Sequence, residues 1–279
     1  SEGCAGQCSF CCTRFARGSV HSFPIEGIVK EVSEALKEGY REILLTSQDT
    51  AAYGLDSGDT LPSLLKKIFS INEKFMLRLG MANPNHIKKF KHELVEIYKD
   101  PHMYKFLHLP VQSGDNSVLV DMNRGYTVKD FLETVNLFRE NIRDIYLATD
   151  IIVGFPTEDD AAFENTFKLI ETIRPDKINL TRFSPRPGTP SSKMRQIPTW
   201  IVKERSRRLN LLRKKISHEI NKSYIGRYFE ALVTEKNKDG TFTGRIYNNK
   251  PVILENTEVG QFIDIDIEDA TPTYLIGRR

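Results

Sequence analysis

The chain alternates between short apolar runs and longer segments whose apolar residues recur at helical spacing. Ile28, Val32 and Leu36 repeat every four positions, which predicts a helix that ends at Gly39. The next run, residues 42–46, is apolar and short, as in a buried strand. The alternation continues with helices predicted over residues 61–71, 84–98, 127–141 and 158–173 and strands over residues 75–81, 105–111, 145–153 and 177–183. Thr127 is the candidate cap of the helix over residues 127–141.

Strands that alternate with helices predict an α/β fold with a parallel sheet and right-handed crossovers. The five predicted strands, with a further one expected near or before Ser1, suit a partial (β/α)6 barrel. In parallel barrels, function sits at the carboxyl ends of the strands. Polar segments follow all five strands and predict an active site there, at residues 46–50, 80–84, 108–114, 149–156 and 182–190.

The pattern changes after a basic helix predicted over residues 203–222. This helix carries eight Lys and Arg against two Glu, an excess larger than the net charge of +3, which favours a surface that faces phosphates. Short strands separated by turns follow, at residues 228–235, 241–247, 251–254 and 262–267. We therefore expect two domains, residues 1–222 and an all-β domain of residues 223–279.

Composition limits the class of protein. The 279 residues are 39% hydrophobic and 28% charged, which is typical of a globular chain with enough apolar material for a core. No apolar run approaches membrane-spanning length and no signal peptide opens the sequence, so we expect no membrane partner and a cytoplasmic location. The net charge is too small to indicate nucleic acid by itself.

All four cysteines lie within the first twelve residues. Cys4, Cys8 and Cys11 form a C-x3-C-x2-C pattern, with small residues around them. Iron–sulfur cubanes usually take four cysteines, so three would leave one iron open for chemistry. A zinc site that adds Cys12 or His21 is an alternative, and a disulfide is another. Because Cys12 directly follows Cys11, we expect it to be a bystander.

The cysteine pattern, with Phe10 directly before the third cysteine, resembles the hallmark of the radical S-adenosylmethionine (SAM) superfamily. This resemblance implies a 4Fe-4S cluster whose open iron binds SAM, and reductive cleavage of SAM to a 5′-deoxyadenosyl radical. Further motifs resemble the methylthiotransferase branch, most closely its archaeal and eukaryotic threonylcarbamoyladenosine tRNA members. These motifs are TSQDTAAYG, MLRLGMANP, FLHLPVQSG, MNRGYT, ATDIIVGFPTEDD and SPRPGTP.

The branch implies transfer of a methylthio group to carbon 2 of N6-threonylcarbamoyladenosine at position 37, in the tRNA anticodon loop. Carried onto this sequence, the resemblance assigns Cys4, Cys8 and Cys11 to the cluster. Gln48 and Asp49 are expected to receive the SAM ammonium, because a cationic amine needs an anion or an amide carbonyl. Ribose or substrate contacts are expected from Gln112 and Ser113.

Asp150 is expected to be a catalytic carboxylate near the reacting base or SAM, with a structural cap as the alternative. Arg17, Arg182 and Arg186 are candidate contacts for tRNA phosphate or for the threonyl carboxylate, because guanidinium binds either group bidentately. The C-terminal segment resembles the TRAM domain, a small RNA-binding β-barrel. With seven Lys and Arg against nine Asp and Glu from residue 226 onward, it would bind RNA through one face, expected at Lys236, Lys238, Arg245 and Lys250.

Methylthiotransferases also carry an N-terminal domain whose three cysteines hold a second 4Fe-4S cluster, and no such domain stands in this sequence. We therefore expect this chain to cleave SAM with an electron donor, but not to methylthiolate tRNA unaided. Two sister reactions remain as alternatives, on isopentenyl-adenosine and on a ribosomal-protein aspartate. A zinc-stapled RNA-binding protein without catalysis is the alternative from another class.

Overall fold

The computed structural model describes residues 1–279 and contains nine α-helices and ten β-strands. The helices are α1 (Thr13–Arg17), α2 (Ile25–Lys37), α3 (Leu61–Phe69), α4 (Pro84–Ile87), α5 (Lys91–Ile97), α6 (Asn116–Asp121), α7 (Val128–Asn141), α8 (Asp160–Ile173) and α9 (Thr199–Lys222). The strands are β1 (Glu42–Leu45), β2 (Met76–Leu79), β3 (Phe106–His108), β4 (Tyr146–Val153), β5 (Lys177–Arg182), β6 (Tyr228–Lys236), β7 (Phe242–Ile246), β8 (Pro251–Leu254), β9 (Phe262–Ala270) and β10 (Leu275–Arg278).

Strands β1 to β5 are all parallel, and they form a pair, β1-β2, and a triplet, β3-β4-β5. The two groups are joined by a single parallel bridge between Leu77 and Met103. The predicted parallel sheet is therefore confirmed as a partial barrel of five strands. The sixth strand, expected near or before Ser1, is not formed by the described residues, where Glu2 makes only an antiparallel bridge to His21.

The two faces of the sheet differ because side chains alternate along each strand. One face packs against the helices in a core of 38 buried residues that includes Leu77, Ile151 and Phe138. On the other face, polar side chains of β4 and β5 meet, and Asn179 donates a hydrogen bond of 2.7 Å to Asp150. The apolar residues of the strands thus pack the sheet against its helices, and the polar residues of β4 and β5 lie on the opposite face.

The helix boundaries follow local capping. The side chain of Thr127 accepts from the N–H of Asp130 while the Asp130 carboxylate accepts from the N–H of Thr127, so the cap predicted for α7 is confirmed. The single helix predicted over residues 84–98 is wrong. Phe90 adopts φ −137° and ψ 21°, which ends the helical path, and the chain continues as two short helices, α4 and α5.

Strands β6 to β10 close into a barrel in the order β10-β8-β7-β6-β9. In β9 the residues Ile263, Ile265 and Ile267 are buried and the acidic residues between them are exposed, as period-two alternation requires. The fifth strand, β10, was not predicted from the sequence, since its four residues include a glycine. A β-carbon on Gly277 would lie 2.7 Å from Val252, so the close approach of β10 to β8 requires glycine there.

The barrel is fixed to the sheet domain by a half-buried polar network around Asp144, which lies just before β4. Its carboxylate accepts from the hydroxyl of Tyr247 at 2.9 Å and from Arg227, and its carbonyl accepts from Nδ2 of Asn248 at 2.9 Å. Helix α9 connects the two parts and packs against both β5 and β9. None of the helices is long and apolar enough to cross a membrane.

Candidate functional site: a three-cysteine loop at the strand ends

The cysteines of the C-x3-C-x2-C pattern lie on the loop before α1, and their thiols are free. A β-carbon on Gly6 would lie 3.4 Å from Sγ of Cys4 and 3.6 Å from Sγ of Cys8, so both sulfurs converge over this glycine. Burial raises the pKa of the Cys4 thiol, the Gly6 N–H opposes this, and the neighbouring Cys8 and Cys11 thiols reinforce it. The loop therefore brings the Cys4 and Cys8 sulfurs together, while Sγ of Cys11 lies 3.1 Å from Oγ1 of Thr13.

This loop is tied to distant segments through its middle. The N–H of Ser9 donates to the carbonyl of Met122 at 3.0 Å, and its hydroxyl donates to the carbonyl of Asp121 at 2.6 Å. The N–H of Ser191 donates to the carbonyl of Ser9 at 3.0 Å. The cysteines are thus held against the loop after α6 and against the segment that follows β5.

The donor set suits an iron–sulfur cubane. No three His, Cys, Asp or Glu side chains in the structure are arranged to share one metal ion. A cubane differs from a single ion because each iron takes its own thiolate, so its cysteine sulfurs need not meet at one point. The space over Gly6, bordered by two sulfurs and free of any side chain of its own, is where such a cluster fits. Cys12 is exposed, so its expected role as a bystander agrees with its position.

Arg124 is a site residue that sequence reasoning missed. Its Nη1 donates to Sγ of Cys8 at 3.1 Å, and its Nη2 donates to Oδ1 of Asn83 at 3.4 Å. Its Nε donates to the hydroxyl of Tyr126 at 3.0 Å, and that hydroxyl donates to the carbonyl of Pro110. The only signal in the sequence was its position within the motif MNRGYT, where it stands far from the cysteines along the chain.

A cavity of about 260 Å³ opens beside the cysteine loop. Cys8 and Arg124 line one side of it, and Asn83, Asn85 and His86 line another. The cavity offers thiol, guanidinium and amide groups together, which are the groups needed to bind a zwitterionic ligand next to a thiolate-held metal. It is the candidate binding site for a cosubstrate.

Gln48 and Asp49 follow β1 at this end of the sheet. Oε1 of Gln48 is buried without a hydrogen-bond partner, so it is free to accept a hydrogen bond from a ligand. Asp49 already accepts from the N–H groups of Ala51 and Asn83, and its Oδ2 lies 2.6 Å from Nδ1 of His86. Asp49 therefore positions the α4 segment, and the contact of Gln48 with an ammonium group stays a prediction.

Gln112 and Ser113 follow β3 and have different environments. Gln112 has φ +69° and a buried Oε1 without a partner, so its side chain also offers an unused acceptor. Ser113 is fully buried, where its hydroxyl lies 3.4 Å from that of Thr166 and accepts from the N–H of Asp115 at 3.2 Å. The predicted substrate contact of Ser113 is wrong, because this hydroxyl is enclosed within the protein.

Asp150 is bound by its neighbours on the inner face of the sheet. Its Oδ1 lies 2.8 Å from Nε2 of His108 and 2.7 Å from Nδ2 of Asn179. Burial raises the pKa of Asp150, but the hydrogen bonds and charge of His108, the Asn179 amide and the nearby Arg124 outweigh it and lower the pKa overall. Asp150 is thus a carboxylate held ionised, and His108 is hydrogen-bonded to it within the sheet.

Comparison with known protein families identifies the family of this chain. The model of the radical SAM superfamily matches residues 1–170, which include the cysteine loop and β1 to β4. The chain belongs to the radical SAM superfamily. The model of the TRAM domain matches residues 222–278, which form the closed barrel. Both parts of the predicted fold class, the partial radical SAM barrel and the TRAM barrel, are confirmed.

This radical SAM chain is similar along its whole length to named tRNA-modifying proteins. A probable threonylcarbamoyladenosine tRNA methylthiotransferase from Archaeoglobus fulgidus is 49% identical over 279 residues, and one from Pyrococcus abyssi is 51% identical over 277 residues. The threonylcarbamoyladenosine tRNA methylthiotransferase of Homo sapiens is 39% identical over 282 residues. The alignments cover 99% to 100% of this chain, but 66%, 65% and 48% of these relatives' own lengths.

Solved radical SAM structures share the fold at low sequence identity. The radical SAM methyltransferase TsrM from Kitasatospora setae, solved with cobalamin and a 4Fe-4S cluster, has a TM-score of 0.55 at 17% identity, over 68% of this chain and 37% of its own. Coproporphyrinogen III oxidase HemN from Escherichia coli has a TM-score of 0.55 at 13% identity, over 77% of this chain and 51% of its own. These likenesses show the fold alone.

The three arginines predicted to contact RNA or substrate are all exposed in the radical SAM domain. Arg17 ends α1, Arg182 ends β5, and Arg186 lies on the loop that follows. A β-carbon on Gly188 would lie 3.7 Å from the ring of Phe15, so α1 packs beside that loop. Arg17 and Arg186 therefore stand on neighbouring segments, and their RNA contacts remain predictions.

The four TRAM residues predicted to bind RNA do not share one exposed face. Lys236 and Lys238 are exposed, and their contacts with RNA remain predictions. Arg245 is half-buried and lines a cavity between the barrel and the sheet. The prediction for Lys250 is wrong, because its side chain is 3% exposed and its ammonium lies 2.7 Å from the carboxylate of Asp176. Lys250 joins the two domains instead.

Proposed function

We propose that this chain is the radical SAM core of a tRNA methylthiotransferase, which adds a methylthio group to carbon 2 of N6-threonylcarbamoyladenosine at position 37. The observation that carries the proposal is the alignment of the whole chain with archaeal proteins of that name at about half identity. The cysteine loop supplies the chemistry that such a reaction needs. The domains proposed for these roles are residues 1–222 and 223–279.

Cys4, Cys8 and Cys11 would hold a 4Fe-4S cluster as thiolates, with the cluster seated over Gly6. When bound, the cluster and SAM supply a 5′-deoxyadenosyl radical after one-electron reduction by an external electron donor. The Arg124 guanidinium remains beside Cys8 and keeps a positive charge at the loop. Its hydrogen bond to the sulfur of a metal-ligating cysteine would orient that ligand.

The unpartnered acceptors at the strand ends orient SAM. The ammonium of SAM would donate to Oε1 of Gln48 and a ribose hydroxyl would donate to Oε1 of Gln112, since both acceptors are buried without a hydrogen-bond partner. Asp49 holds His86 and the α4 segment against the cavity beside the loop. Asp150, kept ionised by its hydrogen bonds, lies on the inner face of the barrel and would be the catalytic carboxylate beside the reacting base.

RNA binding is assigned to exposed cations of both domains. The exposed cations of α9 are Lys203, Arg207, Lys214, Lys215 and Lys222, and those of the TRAM barrel include Lys236 and Lys238. Arg17, Arg182 and Arg186 at the strand ends would contact the anticodon loop near the modified base. We place the reaction in the cytoplasm, together with its tRNA substrate.

Anaerobic reconstitution with iron and sulfide tests the cluster. We expect iron and sulfide to bind with absorbance typical of a 4Fe-4S cluster, and 5′-deoxyadenosine to form after SAM and a reductant are added. A variant with Cys4, Cys8 and Cys11 changed to Ala should lose both properties. The matched control, Cys12→Ala, removes a thiol from the same loop and should keep both, because Cys12 is exposed.

Uptake of one zinc per chain without iron would overturn the proposal and support the zinc-stapled protein. Substrate choice is tested with the full-length Archaeoglobus fulgidus relative on three substrates. These are tRNA carrying threonylcarbamoyladenosine, tRNA carrying isopentenyl-adenosine, and a ribosomal protein. Methylthio product on either of the last two, without product on the first, would contradict the proposed substrate.

A further inference from the structure

A second cavity, of about 570 Å³, lies between the sheet, α9 and the TRAM barrel, and the mechanism above does not use it. Tyr146 and Lys177 line it at the start of β4 and β5, Arg213 lines it from α9, and Asn249 lines it from the hairpin between β7 and β8. Its volume falls within the range of small-molecule sites. We call it the interdomain cavity.

The walls of the interdomain cavity are strongly positive. Six cationic side chains line it, namely Arg78, Lys177, Arg213, Lys214, Arg245 and Lys250. Only Lys250 forms a salt bridge, with Asp176, and Asp176 is the one carboxylate of the lining. Five positive charges therefore surround this space without a carboxylate partner, a field that concentrates anions.

Two hydrogen-bond donors at the wall of this cavity lack acceptors. Nε of Arg78 and Nδ2 of Asn249 are buried and have no partner. Asn249 as a whole is only 4% exposed, so water does not readily satisfy its amide. A buried donor without an acceptor is costly, and an oxygen-bearing ligand in the cavity removes that cost.

We propose that the interdomain cavity binds the phosphate of a nucleotide. A single carboxylate would neutralise only one of the five unpaired charges, whereas phosphate presents several acceptor oxygens to guanidinium and amide donors together. Tyr274 lines the same space and is 36% exposed, so it offers an aromatic surface for a base. The site communicates with the inner face of the barrel, because Asn179 both lines the cavity and donates to Asp150.

The nucleotide has two sources, a free mononucleotide or a nucleotide of bound tRNA. The tRNA source rests on the proposed function, whereas binding of a free nucleotide does not. AMP and adenosine, which differ by the phosphate alone, are the probes for the free ligand, measured by isothermal titration calorimetry on the full chain. Unmodified tRNA, titrated at several salt concentrations, is the probe for the RNA source.

The variants are Arg78→Gln and Arg245→Gln, which remove charge from the cavity wall. Lys214→Gln is the third variant. Lys214 is exposed on α9, so this change should not disturb folding even if Arg78→Gln does. The control is Lys30→Gln, whose side chain is 75% exposed on α2, away from the cavity lining. We expect AMP or tRNA to bind about tenfold more weakly to each cavity variant, as for the loss of one charge-assisted contact. For tRNA, the salt slope should also fall by about one.

AMP binding that these variants weaken, without binding of adenosine, supports the proposal with a free nucleotide. Weakened tRNA binding without AMP binding supports it with an RNA phosphate. Equal binding of AMP and adenosine overturns it, and so does unchanged binding of both AMP and tRNA in all three cavity variants. SAM cleavage, assayed on the same samples, tests the proposed function separately. If SAM cleavage fails, the AMP titrations still decide whether the cavity binds a nucleotide.

Discussion

Arg124 and Cys8 stand 116 positions apart in the chain, yet Nη1 of the arginine donates a hydrogen bond of 3.1 Å to Sγ of the cysteine. The same guanidinium is fixed by Tyr126, whose ring lies 5.0 Å from its central carbon. A hydrogen bond to the sulfur of a proposed iron ligand holds that ligand in place. The loop between α6 and α7 thus contributes directly to the cysteine site.

We expect Arg124→Gln to lower SAM cleavage by about ten- to a hundredfold, the range seen when the outer partner of a metal ligand is lost. The measurement is 5′-deoxyadenosine formation together with iron per chain after reconstitution. Arg143→Gln is the matched control, because its side chain is 90% exposed. Activity equal to that of this control would show that the Arg124 contact has no role in the site.

Gly6→Ala places a methyl group in the space over which Cys4 and Cys8 converge. The contacts of 3.4 Å and 3.6 Å with sulfur are ordinary, so we expect the protein to fold normally and retain less iron than the wild type. Gly27→Ala, within α2 and with no atom near its new methyl, should retain iron fully and stabilise the helix by about 1 kcal/mol. Iron analysis and thermal unfolding of the pair check both statements, and full iron retention in Gly6→Ala would contradict the first.

Lys250→Met leaves the Asp176 carboxylate buried without its ammonium partner. Breaking a buried ion pair from one side costs about 3–5 kcal/mol, and we expect a loss of that size in the free energy of unfolding. Urea denaturation measures it, with Lys238→Met as an exposed control that should stay within about 0.5 kcal/mol of the wild type. A small loss in Lys250→Met would show that the ammonium contributes little to holding the domains together.

Glu158 predicts a pH dependence of stability. Its side chain is 1% exposed, and burial raises its pKa to about 7 although the Gly154 N–H and Arg205 oppose this. Between its ordinary pKa and this raised value the folded state binds the extra proton, so stability falls as pH rises through that window. The decline is up to about 3 kcal/mol.

We expect Glu158→Gln, which does not titrate, to show a weaker loss of stability than the wild type between about pH 5 and about pH 8. Urea denaturation at both pH values gives the comparison. Glu96→Gln, with a side chain that is 67% exposed, should follow the wild type. Parallel pH profiles for Glu158→Gln and the wild type would mean that Glu158 is ionised throughout this range.

Local patterns predicted much of this molecule. The Thr127 cap and the strand at residues 145–153 each depend on residues close together in the sequence, and each agrees with the structure. Tertiary contacts account for what was missed. Lys250 was expected at the surface because lysine usually is, and only the docking of the barrel against Asp176 buries it.

The contact of Arg124 with Cys8 could not be predicted either, since nothing near Arg124 in the sequence indicates which thiol it meets. Gln48 and Asp49 were both expected to receive the SAM ammonium, but their hydrogen-bond environments differ. Asp49 is engaged by two N–H groups and His86, while Oε1 of Gln48 has no partner. Such a difference between adjacent residues depends on the orientation of each side chain, which a sequence pattern does not specify.

The Asp144 network holds the hairpin between β7 and β8 against the sheet. It therefore fixes the distance between the TRAM barrel and the cysteine loop. Any polymer that touches both the barrel and the cysteine loop must span a distance that the protein itself sets. The polymer must then change its own conformation, by bending or by unstacking its bases, to contact both the barrel and the cysteine loop. A pliable single-stranded loop meets that demand at lower cost than a stiff duplex.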